Sequence, residues 1–115
     1  MSQCNLSDKK CKPCEGGVAA LTQNDAEILL KTLKNWNLDE KALWINKRFV
    51  FKDFYHTMSF VNAIAFIANQ EGHHPDLLVG YHYCEVRFQT HAISGLSEND
   101  FICAAKIDQL SLVAG

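Results

Sequence analysis

Apolar residues along this chain change their spacing several times, and each change predicts a new element. Thr22-Gln23-Asn24-Asp25 offers a hydroxyl cap with an acid three positions later. Ala26, Leu29, Leu30 and Leu33 follow at helical spacing, which predicts a first helix with one apolar stripe, ending near Asn35-Trp36. The period then becomes two: Leu43, Ile45, Lys47, Phe49 and Phe51 share one face of an alternating run, with Trp44, Asn46, Arg48 and Val50 on the other. That run reads as a strand. A short partner around Trp36 to Leu38 would pair with it across the polar turn Asp39-Glu40-Lys41.

Asp53 is a good cap for the longest helix, expected to run to about Gln70. Phe54, Met58, Val61, Ala65 and Ala68 form one stripe on it, and Phe60, Ile64 and Ile67 add a second row. So wide an apolar face is expected to touch both the sheet and another helix or subunit. Gly72 should end the helix. Two strands follow, about Leu77 to Tyr81 and Tyr83 to Thr90, close enough to form a hairpin; the second alternates Cys84, Val86 and Phe88 against Tyr83, Glu85, Arg87 and Gln89. Ser97-Glu98-Asn99-Asp100 is another capping box, opening a last helix with Phe101, Ala104, Ala105 and Ile107. Helix, strand, strand, helix, strand, strand, helix implies an α+β fold: a four-stranded antiparallel sheet with about three helices packed on one face.

Composition sharpens this picture more by exclusion than by addition. A chain of 115 residues suits one core, so residues 21–115 are expected to form a single domain behind a flexible tail of residues 1–20. Hydrophobic residues at 48% and charged residues at 21% are ordinary for a folded domain and argue against disorder. A net charge of -2 without a basic block argues against direct nucleic-acid binding. Neither a signal-like apolar region nor a membrane-length apolar run is present, so a cytoplasmic protein with no membrane association is expected.

The five cysteines, Cys4, Cys11, Cys14, Cys84 and Cys103, are an odd number in a chain without a secretion signal, and reduced thiols are the expectation. Cys11-Lys12-Pro13-Cys14 has C-x-x-C spacing, but it lies in the polar tail before Gly16-Gly17 with no second pair nearby. A mobile arm is the plainer reading; transient metal or redox behaviour is the other.

Candidate chemistry gathers at Glu71-Gly72-His73-His74-Pro75-Asp76. Imidazole both gives and takes a proton near neutral pH. Pro75 biases His74 toward extended backbone and makes a rigid helix-to-strand corner, at which two adjacent imidazoles can flank a bound molecule. His91, just past the strand ending at Thr90, can close the same pocket. The same corner also reads as a surface turn capping the helix carbonyls, and spacing alone does not separate the two. His56 and His82 read as surface positions. Adjacent ligands suit tetrahedral zinc poorly, so no metal is expected. No nucleophile elbow, Walker loop or dinucleotide-binding glycine run occurs.

Gly72-His73-His74-Pro75-Asp76, then Tyr81, Thr90-His91 and Gly95-Leu96-Ser97-Glu98-Asn99-Asp100, closely resembles the pterin-4a-carbinolamine dehydratase family. The likeness extends from about Thr22 to Gln109, and the Cys-x-x-Cys-Glu-Gly-Gly tail looks like the arm of some bacterial members. The resemblance implies removal of water from 4a-hydroxytetrahydrobiopterin to give quinonoid dihydropterin, recycling the pterin of an aromatic amino-acid hydroxylase. No cofactor is implied. It marks His73, His74 and His91 as the catalytic group; His74 is expected to be the leading acid-base residue, with His73 and His91 orienting the pterin and taking some share of proton transfer. Pro75, Asp76 and Tyr81 are expected on the substrate, Tyr81 either stacking on the pterin or merely covering the sheet. Asp100 belongs to the family pattern, yet its capping-box position explains it structurally.

One departure stands out: Asn69 occupies a position where family members commonly carry Glu, and an amide cannot stabilise imidazolium as a carboxylate does. Some relatives also serve as dimerisation cofactors for homeodomain transcription factors. A non-catalytic interaction role, or pterin binding as a regulator, is therefore the alternative. A homodimer or homotetramer is the expected assembly.

Overall fold

The computed structural model describes residues 6–12 and 19–110. Its main elements are α1 (Gln23–Leu30), β1 (Asn37–Leu38), β2 (Ile45–Val50), α2 (Phe54–Glu71), β3 (Asp76–Val79), β4 (Tyr83–Phe88) and α3 (Glu98–Asp108). Short 3-10 turns at Leu6–Asp8 and His91–Ile93 complete the order. All pairings in the four-stranded sheet are antiparallel, in the order β1-β2-β4-β3. The expected α+β architecture is what the chain adopts, with the small strand at Asn37–Leu38 paired to β2 through Leu38 and Ile45.

Alternation in the strands divides the two sheet faces. Ile45 and Phe49 of β2 and Cys84, Val86 and Phe88 of β4 are buried beneath the helices. The opposite face keeps its polar groups in water, where Arg48 lies over the Tyr83 ring and Arg87 over Trp44. Lys47 shares the inward face, and its stem covers apolar surface while its Nζ meets Asp108 at 3.0 Å. Asp108 also accepts from Trp36 Nε1 at 3.0 Å, so α3 is tied to the sheet at this end.

The long helix α2 requires a correction. The row facing the core is Thr57, Phe60, Ile64 and Ala68, with Val61 and Ile67 partly covered, and Phe60 lies against both Phe49 and Phe51. Of the first predicted stripe only Ala68 is buried; Phe54 and Ala65 are exposed. The two rows overlap on the helix surface, and contact with the sheet and α3, rather than apolar content, decides which faces inward. α1 also ends sooner than its apolar pattern implied, at Leu30, with turns carrying the chain to Trp36.

α3 is covered more completely than a surface helix: Asn99 through Ala105 and Ile107 are all buried. α2 and the sheet cover part of it. Residues 6–12, within the segment expected as a tail, lie against the remainder, with Lys106 Nζ donating to the Ser7 carbonyl at 2.9 Å. Cys4 and Cys14 fall outside the described residues, and with them the second half of the C-x-x-C pair. No helix among the described residues is long and apolar enough to cross a membrane.

Candidate active site

Three chain corners converge at one end of the sheet. The first is the exit of α2. Gly72 takes the left-handed conformation (φ 65°), and the N–H groups of Gly72 and His73 both donate to the Ala68 carbonyl. This closure turns the chain sharply, and Pro75 then delivers it into β3. His73 points inward and His74 outward. The His73 side chain is only 12% exposed and stacks on Phe88, with ring centroids 5.8 Å apart and planes 6° from parallel.

The second corner is the turn after β4, where Thr90 is buried and His91 exposed. Thr90 bridges Gly95 through backbone hydrogen bonds, which holds the His91–Ile93 turn closed. The His91 and Trp44 rings pack edge-to-face, with centroids 6.1 Å apart. The third corner is the start of α3, where Ser97 and Asp100 form the expected capping box.

Asp100 binds these corners together. Its side chain is wholly buried, and its two oxygens serve different elements. Oδ2 accepts from the Ser97 N–H at 3.0 Å and from the Thr90 hydroxyl at 2.8 Å. Oδ1 lies 2.6 Å from His73 Nε2. The capping role read from sequence is therefore one of two. The buried carboxylate also fixes the His73 ring, and through Thr90 it anchors the turn that carries His91. A capping-box acid was visible in the sequence, but its reach to a histidine twenty-seven positions away was not.

An open cleft of about 500 Å³ lies over this junction. His73, His74 and His91 line it with Pro75 and Asp76, so five of the expected site residues come together. Tyr81 does not join them. β3 runs away from the histidine corner, and Tyr81 sits in the turn beyond it, 65% exposed and stacked with Phe54. Asn69 lies on the other flank of His74, where a second pocket is lined by Ile64, Phe66, Asn69, His74 and Leu77. His56 and His82 stand outside the cleft, His56 contacting the α2 cap Asp53 at 2.6 Å.

Residues without a motif complete the walls: Gln89, Asn99, and Cys11 and Lys12 from the N-terminal segment. The Lys12 N–H donates to Asn99 Oδ1 at 3.0 Å, and the Asn99 amide donates back to the Lys12 carbonyl. The Cys11 N–H donates to Glu71 Oε1 at 2.9 Å. Burial works against the Glu71 charge, but this bond and the cations Lys106 and Lys10 outweigh it and hold its carboxyl below the ordinary value. Among the described residues no group of three or more His, Cys, Asp or Glu side chains is arranged to hold a metal ion.

Comparison with known proteins finds relatives along most of the chain. The family described as Pterin 4 alpha carbinolamine dehydratase matches residues 19–110. A protein of Nitrosomonas eutropha named "Putative pterin-4-alpha-carbinolamine dehydratase" is 57% identical over 93% of this chain and 94% of its own length. One of the same name from Dechloromonas aromatica is 53% identical over 95% of this chain and 96% of its own. A solved structure from Brucella melitensis, described as a transcriptional coactivator/pterin dehydratase, superposes with a TM-score of 0.76 at 27% identity, covering 83% of this chain and 99% of that one. A second, a pterin dehydratase-like protein identified as a RuBisCO assembly factor in the alpha-carboxysome, gives a TM-score of 0.57 at 25% identity, covering 65% of this chain and 87% of that one.

Proposed function

Since the chain belongs to the pterin-4a-carbinolamine dehydratase family, we propose that it removes water from a 4a-hydroxytetrahydropterin by histidine acid-base catalysis. The observation that carries this reading is the convergence of His73, His74 and His91 on one cleft, with His73 held by a buried carboxylate. In the reaction the C4a–O bond breaks, a proton joins the departing hydroxyl, and another leaves a ring nitrogen as a new carbon-nitrogen double bond forms. Two proton transfers at different atoms suit imidazoles presented from different corners.

The environments divide the work. His74 is exposed at the mouth and free to exchange protons with substrate and solvent, and it is the leading acid-base residue. His73 is stacked and bonded in place, which suits orienting the pterin ring. His91, on its anchored turn, lines the same cleft from the second corner, where it can reach a bound pterin. Pro75 and Asp76 contribute to the binding surface. The product is a quinonoid dihydropterin, so the protein acts after an aromatic amino-acid hydroxylase has oxidised its pterin. Substitution of His74 with Ala should lower kcat by roughly 10²- to 10⁴-fold with the fold intact. Turnover is followed spectroscopically on chemically generated 4a-hydroxytetrahydropterin, and an unchanged rate would overturn the assignment.

A second reading is favoured by Tyr55 and Phe66, which are 76% and 68% exposed on α2 and suit a protein-protein contact. In it the domain binds pterin, or a protein partner, without turnover. Pterin binding with no dehydration by the wild-type chain would decide for it.

A further inference from the structure

Cys11 and Cys103 are ninety-two positions apart in sequence, yet their Sγ atoms lie 3.5 Å apart. The acid-base chemistry uses neither thiol. Cys103 is buried in α3 at 1% exposure, whereas Cys11 is half-buried on the segment that lines the cleft. Their approach is held from both sides. Glu71 accepts from the Cys11 N–H, the Asn99 side chain grips the Lys12 backbone, and the Asn99 carbonyl lies 3.7 Å from Cys11 Sγ. A disulfide has sulfurs about 2.05 Å apart, so the gap must close by about 1.5 Å, shared between two side chains.

We propose that Cys11 and Cys103 form an oxidation site, at which a low-molecular-weight disulfide converts the two thiols to an intramolecular disulfide that fixes Cys11 and Lys12 in the wall of the histidine cleft. The Cys11 thiolate attacks the small disulfide R–S–S–R, forming Cys11–S–S–R and releasing one RS⁻. Cys103 Sγ then attacks Cys11 Sγ; the Cys11–SR bond breaks and the second RS⁻ leaves. Two protein thiols are oxidised, one small disulfide is reduced to two thiols, and the protons of Cys11 and Cys103 end on the departing sulfurs.

Accessibility sets the order. The Cys11 hydrogen bond, burial and the negative charges of Glu71 and Asp100 push the Cys103 thiol far above its ordinary value. Attack therefore begins at Cys11, and Cys103 resolves the mixed disulfide. In a reducing compartment such a pair acts as a sensor, not as a permanent staple.

Two consequences can be measured. Closing so long a loop should raise Tm by at least ~5 °C, reversibly with dithiothreitol. Fixing one wall of the cleft, a consequence that rests on the proposed dehydration, should lower the pterin KM by roughly 2- to 10-fold at unchanged kcat.

The test treats the full chain with oxidised glutathione, blocks free thiols by alkylation and maps the digest by mass spectrometry. A cross-link between Cys11 and Cys103, lost in Cys11→Ser and in Cys103→Ala, is the expected result. A bond within Cys11 and Cys14 instead, a persistent glutathione adduct on Cys11, or Cys103 recovered alkylated would overturn the proposal. Equal KM values for the reduced and cross-linked protein would overturn the role assigned to the tethered wall. Mapping and Tm need no turnover, so they read the disulfide even if the chain proves not to be a dehydratase.

Discussion

Asp100 shows how much one buried side chain can organise: it caps α3, receives the Thr90 hydroxyl and holds His73. Replacing it with Asn keeps the volume and one acceptor but takes away the second carboxylate oxygen, so the His73 ring and the α3 cap can no longer both be held as they are. The expected result of Asp100→Asn is a loss of roughly 10-fold or more in kcat and of about 1–3 kcal/mol in stability. Steady-state kinetics and denaturant unfolding measure the two separately. Thr90→Val should cost about 1 kcal/mol and disturb His91, with Thr90→Ser restoring both, because only the hydroxyl reaches Asp100. If Thr90→Ser behaves like Thr90→Val, the hydroxyl is not what anchors that turn. At this scale the sequence made the histidines legible, since adjacent imidazoles before a proline are unusual. Asn99, Cys11 and Lys12 were not legible as cleft residues, because a polar wall built from separate segments leaves no periodic trace.

Elements place these residues, and the exit of α2 matters most. Gly72 has φ of 65° and nothing within 4 Å of where a Cβ would sit, so the cost of a side chain there is conformational alone. Gly72→Ala should therefore destabilise by about 1–2 kcal/mol, with Gly72→Asn milder, read from thermal unfolding. Comparable costs for Ala and Asn would point to a lost contact instead. Glu71, the last residue of α2, carries its charge at the unfavourable end of the helix dipole and is compensated by the Cys11 N–H and Lys106. Its folded carboxyl titrates below the ordinary value of 4.5. The stability it contributes is therefore fully present above that value and is lost as pH falls through the folded one. Glu71→Gln should flatten this acid-side loss in an unfolding series across pH, and an unaltered slope would count against it.

For the whole molecule, the telling feature is what stays uncovered. β3 is an edge strand, and Leu77, Leu78 and Val79 are 36%, 53% and 38% exposed along it. A free edge with three aliphatic side chains invites pairing with another strand. We propose that such pairing underlies the expected homodimer or homotetramer, with the exposed Tyr55 and Phe66 of α2 as a further candidate contact. Leu78→Lys should lower the mass in solution, measured by light scattering, toward that of one chain. An unchanged mass would place the contact elsewhere.

Much of this protein followed from local rules. A hydroxyl cap at Thr22, a capping box at Ser97, alternation from Ile45 to Val50 and from Tyr83 to Phe88, and glycine at the end of α2 specify elements because each depends on neighbours in the chain. The histidine segment was legible for the same reason, although spacing alone left open whether it was a cleft or a capped surface corner. Tertiary structure decided what distant residues must share. It chose the inward row of α2, took Tyr81 away from the histidines, joined Asp100 to His73, and laid Cys11 against Cys103. Those outcomes depend on which surfaces meet when the sheet forms, and periodicity along one element carries no record of its partners.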